Sequence, residues 1–154
     1  MIESLSEAKD ELKRVDHLIY VSLKYTRTVD VLLNAISRMV DAYDYMFTAM
    51  LKYEKDKGKI QEIPGTPIER GNTLKRLYPD DLQVNDNVAQ FFLFRKLTRT
   101  QNPKKEQEYR RHVTMKTIVD GKEEVLDIDS ITGYYHFMLE FFKRIETLII
   151  GNKE

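Results

Sequence analysis

The feature that most constrains this chain is a long stripe of apolar residues whose spacing alternates between four and three positions. Residues at that spacing fall on one face of an α-helix, and the opposite face here is polar. The pattern predicts a helix over Val29–Lys57, roughly 45 Å long at 1.5 Å per residue, as the spine of the fold. The residues of the stripe are Leu32, Ile36, Met39, Tyr43, Met46, Met50 and Tyr53.

Similar stripes and helix-capping residues predict four further helices around this spine. Thr66-Pro67 is a strong start signal, because threonine caps a helix well and proline suits its first turn. Gly58 and Gly151 follow apolar stripes and are expected to end their helices. The predicted spans are Ser4 or Ser6 to about Tyr25, Pro67 to about Leu77, Asp80 or Asp81 through Arg95, and Ile131–Ile149 with Asp129 as its N-cap.

A strand signal precedes the last helix. Asp120-Gly121 forms a two-residue turn between segments rich in strand-forming residues, a pattern typical of a β-hairpin, predicted here over Arg111–Ile128. The predicted pairs are Met115–Leu126, Lys116–Val125, Thr117–Glu124, Ile118–Glu123, Thr114–Asp127 and Val113–Ile128. The fold class is therefore mostly α, a helical bundle of about five helices with one β-hairpin before the C-terminal helix. We expect it to form a single domain over residues 1–154.

The composition excludes several kinds of site. The chain has no cysteine, so disulfides, thiolate zinc sites and cysteine nucleophiles are ruled out. Its three histidines, His17, His112 and His136, have none of the spacings of metal ligands, and its six glycines form no phosphate-binding loop. We therefore expect neither a metal nor a cofactor.

The cellular location is indicated by what the sequence lacks. The N-terminal stretch has neither the basic region nor the apolar region of a signal peptide. No apolar run approaches the roughly 18–20 residues that span a bilayer. We expect a cytoplasmic protein that does not associate with a membrane.

The charge of the chain is balanced in total but unevenly distributed. There are 25 Lys or Arg and 25 Asp or Glu, yet Phe91–Lys116 holds eight of the bases and two of the acids. Basic groups with an aromatic among them suit phosphate contacts and base stacking. The basic segment, residues 95–116, is therefore the predicted binding site for nucleic acid or another anion. Its candidate residues are Arg95, Arg99, Lys104, Lys105, Tyr109, Arg110, Arg111, His112 and Lys116.

These residues also have a purely structural interpretation. Arg95 continues the apolar stripe of Val88 and Phe91, so its guanidinium either pairs with an acid or reaches water along its stem. A clamp on an anionic substrate is the functional alternative at this position. The run Tyr109-Arg110-Arg111-His112 is either a solvated charged loop or a phosphate-binding loop.

A mostly helical chain of this size, with an arginine-rich stretch followed by a histidine, resembles the HEPN superfamily. That resemblance implies a small helical bundle, in many members a metal-independent ribonuclease whose site is completed across a dimer. The superfamily's signature places a histidine several residues after an arginine, whereas Arg110 and Arg111 directly precede His112 here. The resemblance thus covers architecture and composition and assigns no catalytic residue. The chain as a whole also resembles small archaeal proteins in its general appearance.

Three functions from different classes are compatible with these observations. The first is a small soluble binding or regulatory module that engages an anionic partner, RNA among them, through the basic segment. The second is a HEPN-like, metal-independent ribonuclease, and the third is a structural bundle that assembles with itself. We expect a homodimer, because the long amphipathic helices offer more apolar surface than one small bundle hides.

Overall fold

The computed structural model describes residues 1–151 as a helical bundle with a small antiparallel sheet. The elements are α1 (Ile2–His17), α2 (Leu23–Tyr25), α3 (Val29–Asp56), α4 (Pro67–Leu77), α5 (Leu82–Leu97), β1 (Lys104–Glu106), β2 (Thr114–Val119), β3 (Lys122–Leu126) and α6 (Ile128–Ile150). One π-helical turn, Leu18–Ser22, joins α1 to α2, so helical backbone continues without a break from Ile2 to Tyr25. Counted this way, the described residues form the five helices that the sequence predicts. The last three residues of the predicted domain lie outside the described part.

The helix boundaries follow from capping residues. The hydroxyls of Thr28 and Thr66 each accept a hydrogen bond from the backbone three residues on, and so does the carboxylate of Asp81. These contacts begin α3, α4 and α5, as the sequence predicts. Gly58 follows α3 and Gly151 follows α6, both at a φ of +80°, a conformation that favours glycine and ends a helix.

The spine of the bundle is α3, as its apolar stripe predicts. Every residue of that stripe except Tyr53 is buried. Helix α1 runs antiparallel along it, since Ser4 Oγ accepts a hydrogen bond from Lys52 Nζ (3.2 Å) while Glu11 lies beside Arg38. Helix α3 also contacts α5 and α6. Its buried stripe therefore lies at the centre of the core.

Aromatic rings from α3 and α5 fill the middle of this core. The ring of Phe47 lies 5.3 Å from that of Tyr43 and 5.1 Å from that of Phe91, between centroids. Tyr43 is fully buried, and this burial raises the pKa of its hydroxyl. The hydroxyl donates to Asn87 Oδ1 (2.5 Å) and accepts from Gln90 Nε2 (2.8 Å). The buried polar group is thus satisfied and costs the fold little.

The sheet has the strand order β1-β2-β3. Its β2–β3 hairpin has the predicted register, with Met115 opposite Leu126, and both of these side chains are buried against the helices. The turn residues Asp120 and Gly121 both have positive φ, 53° and 78°, which the tight hairpin turn requires. The hairpin prediction is therefore confirmed over the pairs nearest the turn.

The C-terminal helix begins earlier than the sequence predicts, and its cap is Asp127, not Asp129. The carboxylate of Asp127 accepts from Ser130 N–H (2.7 Å), and Ser130 Oγ accepts from the N–H of Asp127 (2.9 Å). This reciprocal capping box makes Ile128 the first helical residue. The predicted pairs Thr114–Asp127 and Val113–Ile128 are therefore wrong.

The strand β1 is a further difference from the predicted single hairpin. It pairs antiparallel with β2, placing Lys104 opposite Lys116 and Glu106 opposite Thr114. Three consecutive charged residues carry no alternating pattern that could indicate a strand. The strand forms because β2 would otherwise leave one row of backbone hydrogen-bonding groups without partners.

Candidate functional site

The lysines and the arginines of the basic segment differ in their surroundings. Each of its four lysines lies within 4.0 Å of a carboxylate, in ion pairs that are at least partly exposed to solvent. Two of them share Glu106, and the hydrogen bond from Lys104 holds the pKa of that carboxyl below its usual range. The pairs are Lys96–Asp120, Lys104–Glu106 (3.2 Å), Lys105–Asp30 (3.8 Å) and Lys116–Glu106 (3.5 Å).

The four arginines of the same segment have no such partner. Within residues 1–151, no carboxylate oxygen lies within 4.0 Å of the guanidinium nitrogens of Arg95, Arg99, Arg110 or Arg111. A guanidinium presents its N–H donors in a planar fork that matches two phosphate oxygens at once. The arginines are thus the cations of this segment that are available to an external anion.

Arg95 lies half-buried beside the aromatic core. Its guanidinium carbon is 5.8 Å from the centroid of the Phe91 ring, within the range of a cation–π contact. Of the two structural alternatives for Arg95, the ion pair is not formed with any acid of residues 1–151, and the guanidinium lies over the Phe91 ring instead.

A groove of about 670 Å³ separates the end of α5 from the β2–β3 hairpin. Arg99 lies in it next to the ion pair of Lys96 and Asp120. A hydrogen bond between the hydroxyls of Thr100 and Thr117 joins the turn after α5 to β2 and fixes the two walls relative to each other. We call it the hairpin groove; its charged lining residues are Lys96, Arg99, Lys104, Lys116, Asp120 and Glu123.

The loop between β1 and β2 carries the other two arginines, and we call residues 107–112 the arginine loop. One backbone contact and one side-chain contact hold it against the residues at and just before the start of α3. Tyr109 N–H donates to the carbonyl of Arg27 (2.6 Å), and Glu108 Oε2 accepts from Val29 N–H (2.9 Å). The Tyr109 side chain is 78% exposed, and Arg110 and Arg111 are also exposed. The loop is thus anchored through the Tyr109 backbone and the Glu108 side chain, while the side chains of Tyr109, Arg110 and Arg111 stay exposed.

A smaller cavity of about 320 Å³ lies between the arginine loop and the start of α6. Arg111 and His112 line one side of it, and Arg27 comes from the junction before α3. Asp127 and Asp129 contribute carboxylates from the first turn of α6. This loop cavity therefore combines two guanidiniums, an imidazole and two carboxylates.

The two cavities share β2 as a wall. Lys116 and Thr117 line the hairpin groove, and Thr114 lines the loop cavity. Because side chains alternate along a strand, Thr114, Lys116 and Ile118 lie on the face opposite the buried Met115. We call this the outer face of β2; Thr114 borders the loop cavity, and Lys116 and Ile118 border the hairpin groove.

No family model, no curated protein and no solved structure matches this chain. The resemblance to the HEPN superfamily therefore stays a prediction. What the protein binds has to be inferred from the chemistry of its own side chains.

The structure brings five of the binding residues predicted from the sequence into two groups. Arg99, Lys104 and Lys116 come together at the hairpin groove, and Arg111 and His112 come together at the loop cavity. Tyr109 and Arg110 lie on the arginine loop outside the cavity lining, Arg95 lies over Phe91, and Lys105 extends toward Asp30.

Sequence reasoning missed three residues of the loop cavity. Arg27 falls in the short break between two helical patterns, and nothing in that break relates it to a histidine far along the chain. Asp127 and Asp129 both stand where a helix-capping residue is expected. Because capping alone explains an acid at those positions, nothing in the sequence indicates a functional role for them.

Two kinds of site are not found in the described part of the chain. Among residues 1–151, no three His, Cys, Asp or Glu side chains lie close enough together to hold a metal ion. Nor does any helix within those residues have the length and apolarity needed to cross a membrane.

Proposed function

We propose that the protein binds single-stranded RNA along the outer face of β2. The observation that carries the proposal is that the arginines of the basic segment lack carboxylate partners within residues 1–151, whereas its lysines have them. Arg99 and Arg111 belong to the cavities at opposite ends of the strand. Phosphates of one RNA strand that follows β2 would contact both.

The dimensions of the strand support this geometry. β2 has six residues and spans roughly 20 Å at about 3.3 Å per residue. A stacked nucleic acid strand advances about 3.4 Å per nucleotide, so the span corresponds to roughly six nucleotides. Tyr109, near one end, offers an exposed ring on which a base can stack. Exposed rings favour unpaired bases, because the bases of a duplex are already stacked.

The test is a fluorescence-anisotropy titration with a single-stranded RNA of about twelve nucleotides, twice the proposed length, at several salt concentrations. Affinity should fall steeply with salt, because phosphate contacts release counterions. Replacing Arg110 and Arg111 together with alanine should weaken binding and lower the slope of the salt dependence by about two, one for each lost phosphate contact.

The matched control removes two charges from another exposed site. Lys75 and Arg76 are adjacent, exposed cations near the end of α4, so their double alanine variant has the same net charge as the Arg110/Arg111 variant. Both variants should stay folded, the control with a slightly lower melting temperature because it loses the hydrogen bond from Arg76 Nη2 to Thr73 Oγ1 (3.0 Å). Unchanged RNA affinity in the Arg110/Arg111 variant, or an equal loss in the control, would contradict the proposed site.

A second candidate function, RNA cleavage without a metal, is supported by the loop cavity. There the imidazole of His112 shares a cavity with the guanidiniums of Arg27 and Arg111. A neutral imidazole can take the proton of a 2′-hydroxyl, whose oxygen then attacks the adjacent phosphorus and displaces the 5′-oxygen of the next nucleotide. Guanidiniums stabilise the negative charge that develops on the phosphate oxygens.

Cleavage of an end-labelled RNA in the presence of a chelator tests this second function. The wild type should cut the RNA but not DNA of the same sequence, which lacks the attacking hydroxyl. His112→Ala should bind RNA with nearly wild-type affinity and lose cleavage. An RNA that is bound and remains intact would leave binding alone as the function.

A further inference from the structure

A second cationic groove lies between α1 and α3, outside the basic segment. Its volume is about 340 Å³, and none of the residues 1–151 that line it is acidic. Lys13 and His17 are four positions apart on α1, as are Asn34 and Arg38 on α3, so each pair lies on one side of its helix. We call it the α1–α3 groove; its lining residues are Lys13, Arg14, His17, Leu18, Asn34 and Arg38.

Glu11 holds two of the guanidiniums of this groove. It is only 4% exposed, and its Oε1 accepts a hydrogen bond from Arg14 Nη1. Its Oε2 lies 3.6 Å from Arg38 Nη1 and has no hydrogen-bond partner among the described residues. A buried carboxylate between two arginines attracts both side chains, yet it engages few of their N–H donors. The remaining donors are available to a ligand.

The groove stays positive after Glu11 is counted. Lys13, Arg14 and Arg38 carry three positive charges against the two negative charges of Glu11 and Asp41, a net charge of +1 without His17. Asp41, the other carboxylate near Arg38, is exposed and is not among the lining residues. A concave surface with charge of one sign focuses the electric field and attracts small counter-ions.

We propose that the α1–α3 groove binds a small phosphorylated molecule through its phosphate group. Two guanidinium forks can each contact a pair of phosphate oxygens, and Lys13 adds a point charge. The amide of Asn34 can donate a further hydrogen bond, while Leu18 offers an apolar contact for the rest of the molecule. The volume is at the lower end of the range of small-molecule sites, about 300 to 1,000 Å³.

This site is independent of the proposed RNA interface, since the two share no residue. Nuclear magnetic resonance of isotope-labelled protein locates binding directly, with inorganic pyrophosphate as the probe. The backbone amides of residues 13–18 and the side-chain amide of Asn34 should shift saturably. Sulfate at equal ionic strength should shift them much more weakly, since it offers fewer terminal oxygens and less charge.

The variants are chosen so that the fold is kept. Lys13→Ala and His17→Ala change exposed side chains that do not contact Glu11, and Lys13→Ala should raise the dissociation constant of pyrophosphate about ten-fold. Lys9→Ala removes the same charge from the same helix, one turn outside the groove, and should leave that constant unchanged.

The Arg110/Arg111 double alanine variant should bind pyrophosphate in the α1–α3 groove like the wild type. Three results would overturn the proposal. They are shifts confined to the basic segment, equal shifts with sulfate and pyrophosphate, and an equal loss of affinity in Lys9→Ala and Lys13→Ala. If the protein failed to bind RNA, the proposal for the α1–α3 groove would still stand, because the RNA titration tests other residues.

Discussion

At the scale of single residues, Asp81 joins two helices. Its Oδ1 accepts from Val84 N–H (3.1 Å), which caps α5, and from Nη1 of Arg144 on α6 (2.9 Å). The second guanidinium nitrogen of Arg144 contacts the other carboxylate oxygen, so the ion pair is bidentate. The hydrogen bonds from Arg144 hold the pKa of Asp81 below its usual value.

Replacing Asp81 with asparagine keeps the cap and removes the charge. We expect a loss of about 1 kcal/mol of unfolding free energy at neutral pH. Because the pKa of Asp81 is lower in the folded than in the unfolded state, its contribution is complete above the unfolded value of about 3.9. The contribution is lost as the pH falls through the lower folded value.

Urea unfolding at pH 7 and at about pH 2.5, well below the usual aspartate value, measures this difference. The gap between wild type and Asp81→Asn should shrink at the lower pH. Asp80→Asn, at the adjacent exposed position, should show no gap at either pH. A gap of equal size under both conditions would show that the charge of Asp81 is not its cause.

The candidate site could be predicted from the sequence in part. The basic segment could be recognised from its local excess of positive charge, because that excess is counted over neighbouring residues of the sequence. Which cations are neutralised depends on partners elsewhere in the chain, such as Asp30 beside Lys105 and Asp120 beside Lys96. The α1–α3 groove is still harder to foresee, because its cations lie on two helices and each helix surface also carries acids.

At the scale of elements, the apolar face of α3 carries the fold. Ile36 and Met46 are fully buried on that face. Ile36→Asp or Met46→Asp should lower the free energy of unfolding by several kcal/mol, because each places an unpaired charge in the core.

Thermal melting followed by circular dichroism measures this effect. Ser37→Asp is the matched control, because it adds the same carboxylate to the adjacent exposed position of the helix. The control should melt within a few degrees of the wild type, while both core variants should melt far lower or fail to fold. Wild-type melting of the core variants would contradict the assignment of this face.

The helices were predictable because their signals are local. The stripe of α3 and the start residues Thr66 and Asp81 act within one or two turns. The start of α6 was misplaced because Asp127 and Asp129 are both good caps, and the serine that completes the capping box selects Asp127. The strand β1 depends on the free edge of β2 and has no pattern of its own.

At the scale of the whole molecule, apolar side chains remain on the outside of the bundle. Phe137 and Leu148, eleven positions apart on α6, lie on one side of that helix and are 39% and 36% exposed. Tyr20 is 49% exposed and hydrogen-bonds His136 of the same helix. These side chains are available to a second copy of the chain, and the homodimer stays a prediction.

Multi-angle light scattering measures the mass of the particle in solution. We expect twice the mass of the 18.3 kDa chain at micromolar concentration, and the chain mass for Phe137→Lys. Gln61→Lys, which adds the same charge at an exposed position outside α6, is the control and should stay dimeric. A wild type that has the mass of a single chain at high concentration would remove the prediction.

The hydrogen bond between Glu108 and Val29 couples the arginine loop to the longest helix. It joins residues 79 positions apart, and it satisfies a backbone N–H that the first turn of α3 leaves free. When that turn opens, the bond breaks and the loop loses one of its anchors. Opening of that turn would weaken the binding of a ligand to the loop, and the ligand would make the turn harder to open. The two effects have the same free energy, because coupling between two equilibria is reciprocal. If a ligand binds the arginine loop, solvent exchange of the Val29 amide should therefore slow down, and that rate would report the binding.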